Sequence, residues 1–353
     1  MSAATVPSHS QRTIFQRRDG IKETSQITVN SPRWLPGITW GSDGPEAREH
    51  AAVWVLSSAR KVLVFGGSGY APYLAPLNDA WSFDLDSLTW SSAAMRGHVP
   101  AGGGSRRVAT VSDATAYLFG GYGFKSAPNA ELFRIDIRDG SMTFTRVEQE
   151  NPPPARLLHA FVYDGLTDRF VLFGGVGTAP LADLWTMKLH GRTAVWTQHA
   201  QAVAPSPRYG FFYGFDAARG RLLLFSGAQS TTSIDAARDT WVLDVRVTPM
   251  SWTLLSEGDS SPPGRRNGCM VFDPHESRLF VFGGTADGRN TEPGLFVLEA
   301  TPGQEQWTLL KLDDEPPLRS SGLGFYDPVT RLSYMGFGNT TREVFRDWTA
   351  IRY

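Results

Sequence analysis

The arginines of this chain recur at a regular spacing that could build a binding site. An arginine stands three positions after a proline at five places, namely Arg48, Arg156, Arg208, Arg265 and Arg319. A glycine-rich segment ending in Arg106 and Arg107 stands where a sixth copy is expected. Guanidinium groups bind carboxylate and phosphate oxygens bidentately. Arginines gathered around one opening therefore predict a site for a carboxylate, a phosphate or an acidic peptide.

A structural role for these arginines is the alternative. Acidic residues recur with the same period, at Asp79, Glu131, Asp183 and Asp239. Each arginine could form an ion pair with such an acid and bridge neighbouring repeats. Because some acids are missing from the last two repeats, we expect two or three of the arginines to face a ligand.

Catalytic motifs are missing from the sequence. There is no Gly-Lys-Ser phosphate loop, no His-Glu-x-x-His and no Gly-x-Ser-x-Gly. His50 and His159 both fall near the start of a predicted inner strand, and His159 is the better candidate for a binding residue. The single cysteine, Cys269, is expected to fill the core. We assign no catalytic residue and expect no metal and no cofactor.

The elements that position the arginines belong to an internal repeat. An apolar strand closed by a glycine pair occurs at residues 62–67, 116–121 and 170–175, in altered form at 222–227, and again at 279–284, with a degraded copy at 332–338. Successive copies, counted from Gly66, Gly120, Gly174, Ser226, Gly283 and Phe337, are 54, 54, 52, 57 and 54 residues apart. This period is that of a four-stranded propeller blade.

Further parts recur within each period. Aromatic-aspartate corners at Asp164, Asp216, Asp273 and Asp327 predict hairpin turns. An acidic-x-aromatic element follows the glycine pair, as in Asp183-x-Trp185, but the fifth repeat keeps only Phe296. The outer strand then opens with an aromatic residue, at Trp90, Phe144, Trp196, Trp252 and Trp307. These large rings are expected to wedge between neighbouring blades.

The glycine pair, the Asp-x-Trp and the last tryptophan resemble the kelch repeat, from about residue 34 to residue 353. The resemblance implies an all-β protein, a single six-bladed kelch-type β-propeller like the central domain of galactose oxidase. It also places the loops after the glycine pairs on the same face as the arginine turns. Those loops carry candidate binding residues at Tyr70, Tyr73, Tyr122 and Phe124.

The enzymes of this family that depend on a metal are not expected here. A copper site like that of galactose oxidase needs a tyrosine linked to a cysteine and a cluster of His and Tyr ligands, and Cys269 has no obvious partner. The iron site of specifier proteins needs Glu, Asp and His four residues apart, whereas Leu243 follows Asp235 and Asp239 at that spacing.

Blade six has no residues left for its fourth strand after residue 353. We predict that the segment around Trp40 supplies this strand and closes the ring, which removes two exposed sheet edges. The predicted organisation is a flexible tail over residues 1–33 and a propeller over residues 34–353. The tail has basic residues but no acid in its first 18 positions, so an organelle transit peptide stays an alternative.

Composition limits the partners. The formal net charge is −1, which gives no reason to expect nucleic acid or a membrane surface. We expect a soluble, cytoplasmic monomer. The function indicated is a binding or scaffold module that recognises a protein peptide or a small anionic ligand at the arginine-bearing mouth of the channel. The alternative is a metal-free small-molecule enzyme, of lyase or isomerase type, in the same pocket.

Overall fold

The computed structural model describes residues 32–69, 75–123, 127–233 and 235–353. This part of the chain is built from β-strands and one 3-10 turn at Gly258–Ser260. It contains no helix long and apolar enough to span a bilayer.

The described residues form 29 strands, numbered in chain order. Those up to the end of the first blade are β1 (Arg33–Trp34), β2 (Ile38–Thr39), β3 (Arg48–Glu49), β4 (Ala52–Leu56), β5 (Lys61–Phe65), β6 (Ser68–Gly69), β7 (Ala80–Asp84) and β8 (Thr89–Ser92). Those up to the end of the third blade are β9 (Ala94–Gly97), β10 (Arg107–Ser112), β11 (Thr115–Phe119), β12 (Leu132–Arg138), β13 (Ser141–Arg146), β14 (Glu148–Glu150), β15 (Ala160–Asp164), β16 (Arg169–Val176), β17 (Pro180–His190) and β18 (Thr193–His199). The remaining strands are β19 (Phe212–Asp216), β20 (Arg221–Phe225), β21 (Asp239–Asp244), β22 (Ser251–Glu257), β23 (Cys269–Asp273), β24 (Arg278–Phe282), β25 (Leu295–Glu299), β26 (Gln306–Leu310), β27 (Leu323–Asp327), β28 (Leu332–Gly336) and β29 (Asp347–Arg352).

Six antiparallel sheets of this chain form the blades of a propeller. Blade 1 is β4-β5-β7-β8, blade 4 is β19 to β22 and blade 5 is β23 to β26. Blades 2 and 3 are β10 to β13 and β15 to β18, and each gains a parallel outer strand, β9 and β14 respectively. The predicted all-β, six-bladed fold is confirmed.

Each blade has its second strand buried on both faces. Strands β5, β11, β20 and β24 share one burial pattern, in which all residues after the first are buried. A short, continuously apolar run is what a strand packed between two neighbouring sheets requires. The unbroken apolar residues before each glycine pair thus hold the blades together.

The glycine pairs allow adjacent blades to approach closely. Gly66 and Gly67 have φ values of 65° and 98°, a region that favours glycine. A Cβ on Gly66 would lie 2.6 Å from the carbonyl oxygen of Gly103, which leads into the next blade. The backbone of one blade therefore occupies the space that a side chain would need.

The aromatic residue of each outer strand packs on a phenylalanine of the preceding blade. In most blades this phenylalanine comes directly before the glycine pair, and in blade 6 it is Phe337, which replaces the first glycine of the pair. Ring centroids lie 4.7 Å apart for Trp252 with Phe173 and for Trp307 with Phe225. The same contact recurs for Trp196, Phe144 and Trp90 with Phe119, Phe65 and Phe337, at 5.2, 5.1 and 6.1 Å. The predicted wedges between blades are confirmed.

The N-terminal segment closes the ring, as predicted. Strands β1 and β2 both pair antiparallel with β29 and complete blade 6. The wedge of blade 6 is Trp34, which lies 5.3 Å from Phe282 of blade 5. Trp40 lies just beyond β2 and packs instead on Trp90 of blade 1, with ring centroids 5.0 Å apart. The segment thus contributes two tryptophans to two different blade contacts.

The two faces of the propeller use different ion pairs. Strands β4 and β5 pair antiparallel, so the turn that leads into β4 and the loop that follows β5 lie at the same end of the blade. We call this end of the propeller, which carries the arginine turns and the loops after the glycine pairs, the arginine face. On the opposite face, corner aspartates link neighbouring blades: Asp164 accepts a hydrogen bond from Arg246 at 2.8 Å, and Asp327 accepts one from Arg60. The predicted corners therefore also connect one blade to the next.

Candidate functional site

Four of the predicted arginines hold their own blade together. Arg48, Arg156, Arg208 and Arg319 are fully buried. Each pairs bidentately, at 2.5 to 3.0 Å, with an aspartate at or near the start of its blade's third strand, namely Asp79, Asp183, Asp239 and Asp347. Each also donates to the carbonyl oxygen of the first residue of the glycine pair, at 3.0 to 3.2 Å. This corrects the expectation of a ring of exposed positive charge, because these guanidinium groups are already paired and out of contact with solvent.

Arg106 does not occupy the equivalent position in blade 2. Strand β10 begins at Arg107 as β4 begins at Ala52, so Gly103 stands where Arg48 stands in blade 1. Arg106 is buried, its Nη2 donates to the carbonyl oxygen of Ala101 at 2.8 Å, and its Nη1 has no partner among the described residues. Burial lowers the pKa of Arg106 to about 10, so the group stays charged at neutral pH.

His159 does not line the channel. It is fully buried beside Phe119, and neither ring nitrogen has a hydrogen-bond partner among the described residues. Burial, followed by the charges of Arg156 and Arg107, holds the pKa of His159 well below its usual value. The side chain of His159 therefore packs between blades 2 and 3 and is not placed to bind a ligand in the channel. Leu158, its neighbour, faces the channel instead.

Of the predicted loop aromatics, the structure describes Tyr122. Its hydroxyl hydrogen-bonds with that of Ser68 and so links blade 2 to blade 1. Burial raises the pKa of Tyr122. Tyr70, Tyr73 and Phe124 lie outside the described residues, so their role stays a prediction.

The central channel holds a cavity of about 300 Å³ lined by all six blades. A ring of residues with positive φ marks the arginine-face end of the inner strands: His50, Ser105, Leu158, Gly210, Asn267 and Ser321. Backbone hydrogen bonds join five successive pairs of this ring. The sixth bond, from Leu158 N to Ser105 O, is not formed between these two described residues.

Arg107 lies at this gap between blades 2 and 3. Its Nε donates to the carbonyl oxygen of His159 at 3.0 Å, and its guanidinium carbon lies 5.8 Å from the centre of the Tyr213 ring in blade 4. The other five blades place an apolar residue at this strand position: Ala52, Ala160, Phe212, Cys269 and Leu323. Among the described residues, Arg107 has no carboxylate within ion-pair distance.

The described lining of the cavity includes no Asp or Glu. Burial, followed by the charge of Arg107, lowers the pKa of His50 to about 4, so this lining histidine is neutral at neutral pH. Burial also raises the pKa of Tyr213, which stays protonated. The described lining therefore contributes the positive charges of Arg106 and Arg107 and no carboxylate, while Glu131, which is not among these lining residues, acts on Arg106 against the effect of burial and raises its pKa.

Sequence reasoning did not select Arg107, His50, Tyr213 or Asn267 as a group. Arg107 had a usable signal, because a charge at the first position of an inner strand departs from the apolar residues of the other repeats. His50, Tyr213 and Asn267 had none, since the residue at the corresponding position varies from blade to blade. No group of three His, Cys, Asp or Glu side chains that could hold a metal ion occurs in the part of the chain that the structure describes.

Solved structures resemble this fold at low sequence identity. The structure of YjhT is 13% identical, with a TM-score of 0.61 over 88% of this chain and 99% of that one. A fungal alcohol oxidase of the AA5 family, in complex with copper, is 12% identical, with a TM-score of 0.62 over 91% of this chain and 76% of that one. At this identity the likeness shows the fold alone.

Curated relatives are longer than this chain. Putative adagio-like protein 2 of Oryza sativa subsp. japonica is 24% identical over 306 residues, which are 82% of this chain and 46% of that protein. Leucine-zipper-like transcriptional regulator 1 of Pongo abelii is 30% identical over 248 residues, which are 68% of this chain and 28% of that protein. The chain thus spans less than half the length of these relatives.

A match to a protein-family model identifies the repeat. The model of the KLHDC2/KLHL20/DRC7 Kelch-repeats domain matches residues 107–326, more than half of the chain. This segment runs from the start of β10 to the end of the inner strand of blade 6. With its six blades, glycine pairs and wedge aromatics, the chain belongs to the kelch-repeat family.

Proposed function

We propose that this kelch-repeat module binds a partner that places an anionic group in the channel beside Arg107. The observation that carries the proposal is the pairing state of the arginines. The repeated arginines of four blades are neutralised by their own aspartates, whereas Arg107 faces an acid-free cavity without a partner acid among the described residues. The ligand class predicted from the arginine turns is kept, but the binding residue changes.

Electrostatics supports an anionic ligand. A unit charge 4 Å from a guanidinium group gains about 4 kcal/mol at an effective dielectric constant of 20, before desolvation is subtracted. His50, neutral at pH 7, and the hydroxyl of Tyr213 add polar groups that can bind oxygen atoms. Tyr122 and Arg106 lie at the same end of the inner strands and would contact the rest of the partner.

The size of the cavity limits what enters it. At about 300 Å³ it accepts a small acid or one acidic side chain, and not a folded domain. A protein partner would therefore insert one acidic residue and rest on the arginine face. We propose this role for the protein as a cytoplasmic monomer.

Binding of simple anions tests the proposal. Citrate, phosphate and a pentaglutamate peptide are titrated into the protein at constant ionic strength, with glycerol as the neutral control. We expect the anions to raise the melting temperature and Arg107→Met to reduce this response strongly. Arg192→Met, which removes the charge of an exposed arginine in the turn between β17 and β18, is the matched control and should respond like the wild type.

The outcomes separate the two ligand sources. Tighter binding of pentaglutamate than of citrate supports a protein partner, and the reverse supports a small acid. A wild-type protein that binds none of these anions at millimolar concentration contradicts the proposal. So does a response that Arg107→Met leaves unchanged.

A further inference from the structure

Blade 5 lacks the carboxylate that neutralises the repeated arginine elsewhere. Strand β25 begins at Leu295 as β7 begins at Ala80, so Gly294 stands where Asp79 stands in blade 1. Arg265 is nevertheless buried like its counterparts, at 1% exposure. A guanidinium group is thus buried in blade 5 without the acid that pairs with it in four other blades.

The hydrogen bonds of Arg265 show which part of the group lacks a partner. Nε donates to Pro263 O at 3.2 Å, and Nη1 donates to Gly283 O and Pro293 O, both at 3.1 Å. Nη2 has no acceptor among the described residues. In the four paired blades this nitrogen donates to the aspartate at 2.7 to 3.0 Å.

The second donor to that carboxylate is also replaced. The indole nitrogens of Trp81, Trp185 and Trp241 donate to the aspartates of their blades at 2.7 to 2.8 Å. Blade 5 carries Phe296 instead, and its ring centre lies 4.8 Å from the guanidinium carbon of Arg265. The ring covers one side of the cation and leaves the Nη2 edge to another group.

In the four paired blades, the carboxylate lies on the solvent side of the arginine. The paired aspartates are the exposed members of their ion pairs, with side-chain exposures of 15 to 39%, while their arginines have none. Gly294 is itself half-buried. A Cβ on Gly294 would lie 2.8 Å from Cε2 of Phe296, so this ring takes up part of the room of the missing side chain. An external carboxylate therefore has to reach Nη2 of Arg265 beside the Phe296 ring, from the arginine face.

We propose that the Nη2 edge of Arg265, beside Gly294 and the ring of Phe296, forms a carboxylate-binding subsite on blade 5. It takes one carboxylate, from a small organic acid or from an acidic side chain of a partner, and it does not depend on the channel site. Glu292 is the neighbouring internal acid, but it forms no ion pair with Arg265. Occupation by Glu292 is the internal alternative that the test must separate.

Crystals of the wild-type protein soaked in sodium 4-bromobenzoate, whose aryl bromide does not alkylate side chains, test the subsite directly. We expect anomalous bromine density beside blade 5, with the carboxylate about 3 Å from Nη2 of Arg265. Arg208, whose Asp239 fills the equivalent place, is the internal control and should show none. Soaked crystals with no density at Arg265, or with the Glu292 carboxylate in its place, overturn the proposal.

A solution experiment identifies the source of the carboxylate. Acetate and the peptide acetyl-Ala-Glu-Ala-amide are compared by the melting temperature of wild type, Arg265→Met and Arg107→Met. We expect Arg265→Met to lose at least half of the stabilisation by acetate and Arg107→Met to keep the blade 5 density in 4-bromobenzoate soaks. A larger shift with the peptide points to a protein partner, and an equal shift points to a small acid. If Arg265→Met does not fold, the soaked wild-type crystals still decide.

Discussion

Removal of the N-terminal segment tests how the ring is closed. We expect a variant without residues 1–42 to lose most of the stability of the propeller, whereas a variant without residues 1–30 keeps it. The shorter deletion leaves β1, β2 and both tryptophans of the closure in place. The longer one removes all of them and leaves β29 with an unpaired edge.

The size of the loss follows from burial. Trp34 is 7% exposed, and truncation of a buried tryptophan costs about 3 to 5 kcal/mol. Leu35, Ile38 and Trp40 pack on the core while partly buried, and each adds about 1 kcal/mol. The total of at least about 6 kcal/mol approaches the entire stability of an ordinary domain.

Thermal unfolding followed by circular dichroism measures the effect. We expect the variant without residues 1–42 to melt at least about 10 °C below the full chain, or not to fold. Trp34→Ala in the full chain should account for about half of the loss. Equal melting temperatures for both deletions would refute the closure, and a large loss from the shorter one would refute the proposed boundary near residue 34.

Three further predictions concern the ion pairs and the channel. Asp183→Asn leaves the buried Arg156 without a carboxylate and should lower the free energy of unfolding by about 3 kcal/mol in urea denaturation, and a loss under 1 kcal/mol would contradict the role assigned to the pair. Burial alone would raise the pKa of Asp164, but hydrogen bonds from Arg246 and Thr167 outweigh burial and lower that pKa. The pair of Asp164 and Arg246 therefore stabilises the fold above about pH 4, and its contribution is lost as the pH falls below that value. Asp164→Asn should weaken this dependence of the free energy of unfolding on acid pH, and an unchanged pH profile would count against the pair. Because the pKa of His50 is about 4, citrate affinity corrected for the ionisation of citrate should not change between pH 8 and pH 6, and a tenfold tightening by calorimetry over that range would show that His50 takes up a proton.

The sequence predicted the fold because each repeated residue answers a local physical need. Gly67 must adopt a positive φ, the apolar run before it is buried on both faces, and Trp252 fills a gap between blades. These requirements act within one repeat or between adjacent repeats, so their period is visible in a single chain. The N-terminal closure was also accessible, because the last blade lacked a strand.

The site was harder to predict, because a residue that recurs in every repeat has a structural role in each blade. Arg156 recurs because every blade needs its ion pair, and the same regularity made it resemble part of a binding ring. Arg107 stands out only after the repeats are aligned strand by strand, whereas the acid missing from the repeat of Arg265 was already visible in the sequence. One is a charge in an apolar position, and the other is an arginine whose acid has become Gly294. Departures from the repeat therefore indicate the candidate sites better than the repeat does.

The central claim is that Arg107 binds the anionic group of a ligand in the channel. Isothermal titration of citrate into wild type, Arg107→Met and Arg192→Met at pH 7 and fixed ionic strength tests it most directly. Loss of a charged hydrogen bond of about 1.5 to 3 kcal/mol predicts that Arg107→Met binds citrate about 10- to 100-fold more weakly. Arg192→Met should bind like the wild type. Equal dissociation constants for all three proteins would contradict the account.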